Sequence, residues 1–161
     1  KKMIRETKCD AVKLEGGKKI AKIINYLTKR GIAVMGHIGL LPQTSGKFKV
    51  KGKNLLQSKK IYDDAISISN SGVFSIVIEC VVESLAKKIT SSVSVPTIGI
   101  GASKYCDGQI LVTDDMVGLS ELSPKFVKQY SYLSKIIEKS VKSYSKDVKL
   151  RRFPSARNVY K

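Results

Sequence analysis

Four ionisable side chains lie at or near the carboxyl ends of short apolar runs in this sequence. Lys13 and Glu15 share one run, His37 lies near the end of a second between two glycines, and Glu79 ends a third. A lysine can hold a substrate carboxylate. A glutamate or a histidine can bind a metal ion or take up a proton. These residue types predict a site that binds an anionic ligand and moves a proton.

The runs that carry these residues alternate with segments of a different pattern. Continuous, partly β-branched apolar runs are typical of strands buried on both faces, whereas the intervening segments place apolar residues at helical spacing. Alternating strands and helices indicate parallel strands joined by right-handed crossovers, so the fold class is α/β. The predicted strands are residues 10–16, 33–39, 75–81 and 97–102, and the predicted helices are residues 18–29, 55–71, 83–92 and 123–150.

Each of the four side chains also has a purely structural interpretation. Lys13 and Glu15 are two residues apart, so they share a face and could converge on one ligand or form a salt bridge at the strand end. His37 has no nearby Cys or His with which to define a metal site, and it could be a hydrogen-bonded structural histidine. Desolvation within an apolar strand would raise the pKa of Glu79, which suits a general base, but Glu79 could instead cap the next helix. The residues alone leave these alternatives open.

The composition narrows the class of protein. The 161 residues include 30 Lys and Arg against 13 Asp and Glu, for a formal net charge of +17. Nucleic acid is one candidate partner, but the lysines are dispersed along predicted helices without stacking aromatics, which is typical of solvated helix faces. The basic run at residues 47–53 could equally steer anionic substrates. With no apolar run near the ~18 residues of a spanning helix and no signal-type segment, we expect no membrane partner and a cytoplasmic location.

The cysteines are too far apart in sequence for paired metal-ligand spacing, and three of them cannot form a disulfide framework. We expect Cys9, Cys80 and Cys106 to be buried or half-buried thiols. The alternative, a nucleophilic Cys80 beside Glu79, lacks a nearby candidate base.

Four segments of the chain together resemble one enzyme family. The chain is similar to ketopantoate hydroxymethyltransferase, in collinear order and over almost its whole length, at Val12-Lys13-Leu14-Glu15-Gly16-Gly17, Val34-Met35-Gly36-His37-Ile38-Gly39-Leu40-Leu41-Pro42-Gln43, Ile76-Val77-Ile78-Glu79-Cys80-Val81 and Thr97-Ile98-Gly99-Ile100-Gly101-Ala102. The resemblance implies a (β/α)8 TIM barrel, which usually needs about 200–250 residues. We therefore expect a single domain over residues 1–161 that forms the carboxyl-terminal part of the barrel, with about four βα units and C-terminal helices.

The resemblance also implies an activity and roles for residues. The family transfers a hydroxymethyl group from 5,10-methylenetetrahydrofolate to 3-methyl-2-oxobutanoate, with Mg²⁺ stabilising an enolate, in the first step of pantothenate biosynthesis. Glu79 would be the general base that removes the C3 proton, and Lys13 would bind the keto acid carboxylate. His37 would contact the substrate or the incoming one-carbon unit, and Glu15 would lie in or beside the magnesium shell. The expected pocket wall is formed by Gly99, Gly101, Asp107 and Gly108.

The sequence departs from the family pattern in ways that keep other functions open. The two metal-binding aspartates of the family come from strands upstream of the matched region, the loop after Gln43 looks shortened, and Thr113 stands where the family usually has histidine. A partial barrel would expose strand edges, so we expect a homo-oligomer or a complementing amino-terminal half. The alternatives are an inactive remnant, or a basic nucleic-acid-binding module that uses residues 47–53 and Arg151-Arg152.

Overall fold

The structure is a computed structural model that describes residues 2–43, 49–121 and 124–160. The chain divides into two compact units, Lys1–Ile110 and Leu111–Lys161. The strands are β1 (Ala11–Glu15), β2 (Ala33–Gly39), β3 (Ser75–Glu79), β4 (Thr97–Ile100) and β5 (Gly108–Gln109). The helices are α1 (Lys2–Thr7), α2 (Ala21–Thr28), α3 (Leu55–Ser69), α4 (Glu83–Thr90), α5 (Thr113–Val117) and α6 (Leu133–Lys149), and a 3-10 turn at Lys18–Ile20 precedes α2.

The first unit contains a sheet of five parallel strands in the order β1-β2-β3-β4-β5. Each strand therefore pairs with the next strand along the chain, and the connections between β1, β2, β3 and β4 contain helices. This arrangement confirms the predicted α/β class and the four predicted strands. The two-residue strand β5 and the short helix α1 were not predicted from the sequence.

One face of the sheet forms the hydrophobic core with the helices. Val34 and Ile38 of β2 and Ile76 and Ile78 of β3 are buried on this face together with Ile68 of α3. A Cβ at Gly36 would lie 2.7 Å from the Ile68 side chain, so the absence of a side chain at this position lets α3 approach the sheet closely. Burying each large aliphatic side chain contributes about 1.5–3 kcal/mol, which holds the strand ends in fixed positions.

The second unit contains α5 and α6, and here the sequence prediction was partly wrong. The helix predicted to begin at 123 begins at Leu133, and Ser123 itself lies outside the described residues. The segment 124–132 is not helical because the Tyr130 N–H donates to the carbonyl of Met116 instead of to a carbonyl four residues earlier in the segment. A proline at 124 is compatible with a helix start, but it does not enforce one.

Three further predictions concern the loop after Gln43, the absence of a membrane-spanning helix and the number of domains. The shortened loop after Gln43 falls on residues 44–48, and these lie outside the described residues, as does the start of the basic run at 47–53. Within the described ranges, no helix is both long enough and apolar enough to cross a membrane. A single domain over residues 1–161 remains a prediction.

Candidate functional site

The carboxyl ends of β1 and β2 bring three of the predicted site residues together. Glu15 pairs with His37 in the parallel register, so both side chains point to the face of the sheet opposite the core. The Nδ1 atom of His37 lies 3.7 Å from Glu15 Oε1 and 3.4 Å from Lys13 Nζ. Lys13 and Glu15 are thus on one face, as their spacing predicts, and they meet at one nitrogen of the imidazole.

The neighbouring strand β3 adds Glu79 on the other side of the same imidazole. Gly39 pairs with Glu79, which places Glu79 on the same face as His37, and Glu79 Oε2 lies 3.2 Å from His37 Nε2. The two groups are close enough for an ion pair, but their orientation does not give a hydrogen bond, and Nε2 has no such partner among the described residues. The other three predicted side chains, Lys13, Glu15 and Glu79, therefore surround His37, which is almost completely buried.

Backbone geometry at two positions fixes the end of β3. Gly39 has a φ of +93°, and a Cβ there would lie 2.2 Å from the carbonyl oxygen of Glu79. That carbonyl accepts a hydrogen bond of 2.8 Å from the Leu40 N–H. Cys80 has a φ of +50°, which is uncommon for a residue with a side chain, and its N–H donates to the Ile100 carbonyl at 2.9 Å. Both neighbouring strands thus hold the backbone on either side of the Glu79 side chain.

The environment of the cluster changes the acidity of its central groups. Burial raises the pKa of Glu79, as its apolar flanks predict, while the positive charge of Lys13 partly opposes this rise. Burial, followed by the charge of Lys13, lowers the pKa of His37. His37 is therefore favoured as a neutral imidazole, and Glu79 is a stronger base than an ordinary glutamate when it is ionised.

Comparison with known proteins identifies the family. A family model described as ketopantoate hydroxymethyltransferase matches residues 1–156. The chain belongs to the ketopantoate hydroxymethyltransferase family. It is 53% identical over 160 residues to 3-methyl-2-oxobutanoate hydroxymethyltransferase of Pelagibacter ubique, covering 99% of this chain and 62% of that protein.

Two further relatives with the same name give similar values. Identity is 50% to the protein of Rhizobium etli and 52% to that of Bartonella quintana, in each case over 99% of this chain. The matches cover 60% and 59% of those relatives, so the chain spans about three fifths of the length of the curated relatives that it matches.

The structure also tests the alternative, purely structural interpretations of Lys13, Glu15 and Glu79 in the ketopantoate hydroxymethyltransferase motifs. Among the described residues, no ion pair joins Lys13 to Glu15, because Lys13 Nζ approaches His37 instead. Helix α4 begins after Val82 without a side-chain cap, and the Glu79 carboxylate lies against His37. The structural interpretations of these residues, as a salt bridge and a helix cap, are therefore wrong.

The cysteines behave as the sequence predicts. Cys80 and Cys106 are buried, Cys9 is half-buried, and all three are free thiols. Burial, together with the nearby charge of Glu79, raises the pKa of Cys80 to about 11. A thiol that stays protonated at neutral pH is a poor nucleophile, which argues against the nucleophilic alternative for Cys80.

The residues of the expected pocket wall lie on or next to β4 and β5. Asp107 Oδ2 accepts hydrogen bonds from the N–H of Thr97 at 2.7 Å and from its hydroxyl at 3.0 Å, at the start of β4. Gly108 pairs with Ile98 in β5, and Gly99 packs against the Gln109 side chain, whereas Gly101 follows β4 with a φ of +59°. Gly99 pairs with Ile78 and Ile100 pairs with Glu79, so Gly99 and Gly101 lie beside the end of β3, whereas Asp107 lies at the start of β4. Their role in a pocket stays a prediction.

One contact at the cluster was not predicted. The N–H of Gln43 donates to Glu15 Oε2 at 3.2 Å, so the chain after β2 folds back over the end of β1. This contact could not be predicted from a motif of side chains, because its donor is a backbone N–H. The sequence does indicate where the chain turns, since the matched segment ends at Pro42-Gln43.

The cluster offers only part of a metal site. Within the described residues, no group of three His, Cys, Asp or Glu side chains is arranged to hold a metal ion. The Glu15 carboxylate is of the type that Mg²⁺ prefers, but a magnesium ion usually takes six oxygen ligands, including waters. Glu15 therefore fits as one ligand of a magnesium ion, and further protein ligands would have to come from elsewhere.

Proposed function

We propose that this protein acts in the transfer of a hydroxymethyl group from 5,10-methylenetetrahydrofolate to 3-methyl-2-oxobutanoate, giving ketopantoate, the first step of pantothenate biosynthesis. The observation that carries the proposal is the position of Glu79, a carboxylate of raised pKa that lies in contact with His37 and close to Lys13. The family supports the same reaction, because the relatives carry the name of this enzyme.

Each side chain of the cluster has its own role in the proposed reaction. Lys13, the cation of the cluster, holds the carboxylate of the keto acid, which turns C3 towards β3. Glu79 takes the C3 proton, and the electron pair of that C–H bond becomes an enolate. One water molecule hydrolyses the methylene bridge of the folate: its oxygen stays on the one-carbon unit, both C–N bonds break, and tetrahydrofolate leaves with its two nitrogens protonated. The enolate carbon forms a bond to this one-carbon unit, and the proton taken by Glu79 ends on the new alkoxide oxygen, which gives the hydroxymethyl group. Neutral His37 contacts the substrate or the incoming one-carbon unit.

A magnesium ion belongs to this proposal as a bound group with Glu15 among its ligands. When bound, it would polarise the keto oxygen and lower the energy of the enolate. Its remaining protein ligands would come from residues other than those of the cluster, and we propose a complementing amino-terminal half or another subunit as their source. The same partner would complete the TIM barrel that the parallel sheet begins. We also infer that the protein works in the cytoplasm.

The proposal is tested by following ketopantoate formation by NMR from the two substrates with Mg²⁺, with the chain combined with the amino-terminal half that completes the metal site. The chain should form product, and Lys13→Met should raise the KM for the keto acid about tenfold or more, because a charge-assisted hydrogen bond contributes about 1.5–3 kcal/mol. The control is Lys22→Met, an exposed lysine on α2. A folded chain that makes no ketopantoate, or an unchanged KM in Lys13→Met, would contradict the proposal.

A further inference from the structure

A basic depression lies beside the candidate site, on the same unit of the protein. It has a volume of about 430 Å³ and is lined by Lys18, Lys19, Leu56, Lys59 and Lys60 with two aspartates of α3. We call this surface the rim depression. The reaction proposed above makes no use of it.

The rim depression is at the end of the sheet where the candidate site lies. Its first two lysines begin the turn that follows β1, and Lys18 is three residues from Glu15, a distance of at most about 11 Å along the chain. The backbone N–H of Lys18 donates to Asp64 Oδ1 at 2.7 Å, which fastens this turn to α3. The depression is therefore a fixed feature, and a ligand that extends out of the site could reach it.

The charges of the rim depression favour an anion. Lys59 pairs with Asp63 at 2.9 Å and Lys60 pairs with Asp64 at 3.5 Å, both as exposed pairs on α3. In the described part of the chain, neither Lys18 nor Lys19 forms an ion pair, and both are exposed. Four lysines against two aspartates leave a surplus of positive charge that can attract carboxylates.

The rim depression also has an apolar border. Leu55 and Leu56, at the start of α3, are 89% and 85% exposed, and Leu56 lines the depression. Two neighbouring, almost fully exposed leucines beside unpaired lysines suit a ligand with an apolar body and a carboxylate-bearing tail. Among the substrates of the proposed reaction, the folate has an aromatic ring followed by a separate carboxylate-bearing tail, whereas the keto acid carries its carboxylate directly on the reacting keto group.

We propose that the rim depression binds the glutamate tail of the folate co-substrate, with Lys18 and Lys19 contacting its carboxylates and Leu55 and Leu56 contacting the p-aminobenzoyl ring next to the tail. The proposal rests on the proposed function for the identity of the ligand. Because the lysines are exposed, each contact is weak, and affinity grows with the number of glutamates in the tail.

The test is calorimetric binding of tetrahydrofolate with one glutamate and with several glutamates to the full chain. The longer tail should bind about fivefold more tightly, which is the size expected for a few exposed charge pairs. The Lys18→Gln, Lys19→Gln double variant should lose this advantage. The control, Lys139→Gln with Lys146→Gln on α6, removes the same charge outside the depression and should keep it.

Three results would overturn the proposal. The first is equal affinity for the two folates, and the second is an equal loss of the tail-length advantage in the α6 control. The third is binding of phosphatidylserine vesicles to the chain through Lys18 and Lys19, with equal affinity for the two folates. Failure here is separable from failure of the proposed function. If ketopantoate forms but tail length has no effect, only this inference fails, and if tail length matters without ketopantoate formation, only the proposed reaction fails.

Discussion

The pKa values of two carboxyl groups in or next to the same parallel sheet are shifted in opposite directions. Glu79, at the end of β3, is buried, and burial raises its pKa. Asp107, just before β5, is exposed, and its pKa is lowered, chiefly by hydrogen bonds from the backbone and then the side chain of Thr97. The difference lies in the surroundings, because the two side chains carry the same chemical group.

The contrast separates a carboxylate that holds structure from one that can take a proton. Donors from Thr97 stabilise the ionised form of Asp107, so this group is a weak base fixed at the start of β4. Glu79 lies beside an imidazole with no aligned hydrogen bond between them, so its basicity is available to a substrate. Three predictions follow from this contrast, in order of decreasing effect.

The largest effect is expected on proton abstraction from the keto acid. Glu79→Gln should slow magnesium-dependent exchange of the C3 hydrogen of 3-methyl-2-oxobutanoate for solvent deuterium at least 100-fold, roughly the least that a general base contributes. Asp107→Asn should leave the rate within about twofold, because sites without shared partners act independently. NMR measures the exchange in both variants. Comparable losses in the two would remove the contrast.

The next effect concerns the backbone that sets Glu79 in place. Gly39→Ala should destabilise the fold by about 3 kcal/mol or more, because the new Cβ would overlap the Glu79 carbonyl oxygen at a φ of +93°. Gly31→Ala is the matched control, since its φ of +73° is similar but its Cβ would meet open space, and it should cost about 1 kcal/mol. Urea unfolding measures both. Equal losses would show that the backbone beside Glu79 is not tightly packed.

A smaller effect is expected at the structural carboxylate. Asp107→Asn should lower the free energy of unfolding by about 1 kcal/mol at neutral pH, the usual size for one hydrogen bond. Because folding lowers the pKa of Asp107, its stabilising contribution is complete above the ordinary aspartate value of about 3.9 and is lost as the pH falls through the lowered value. Unfolding curves of wild type and variant should therefore converge in acid. A difference that stays constant with pH would contradict the assignment.

Much of the sheet could be predicted because its central strand β3 is buried on both faces and its neighbours are mostly apolar. All five residues of Ser75–Glu79 are buried, and such strands appear in the sequence as continuous apolar runs. The convergence of Lys13, Glu15, His37 and Glu79 followed from the same pattern, since parallel strands bring their carboxyl ends to one edge. Two residues of β5 are too few to give a pattern, so this strand was missed.

Other features depend on contacts between distant residues that no local pattern contains. The hydrogen bond from Tyr130 to Met116 prevents a helix over 124–132 although Pro124 fits a helix start. In the same way, the hydrogen bonds between Asp107 and Thr97 join residues ten positions apart, and the motif gave no reason to separate Asp107 from the site. The left-handed backbone of Cys80 also results from its neighbours and not from its residue type.

The most direct test is an NMR titration of the side-chain carboxyl carbons of Glu79 and Asp107 in the ¹³C-labelled chain. The account predicts a midpoint for Glu79 above the ordinary glutamate value of about 4.3 and a midpoint for Asp107 below the ordinary aspartate value of about 3.9. Assignment is made with Glu79→Gln and Asp107→Asn. A Glu79 midpoint at or below the ordinary value, in a folded chain, would contradict the claim that burial prepares this residue to act as a base.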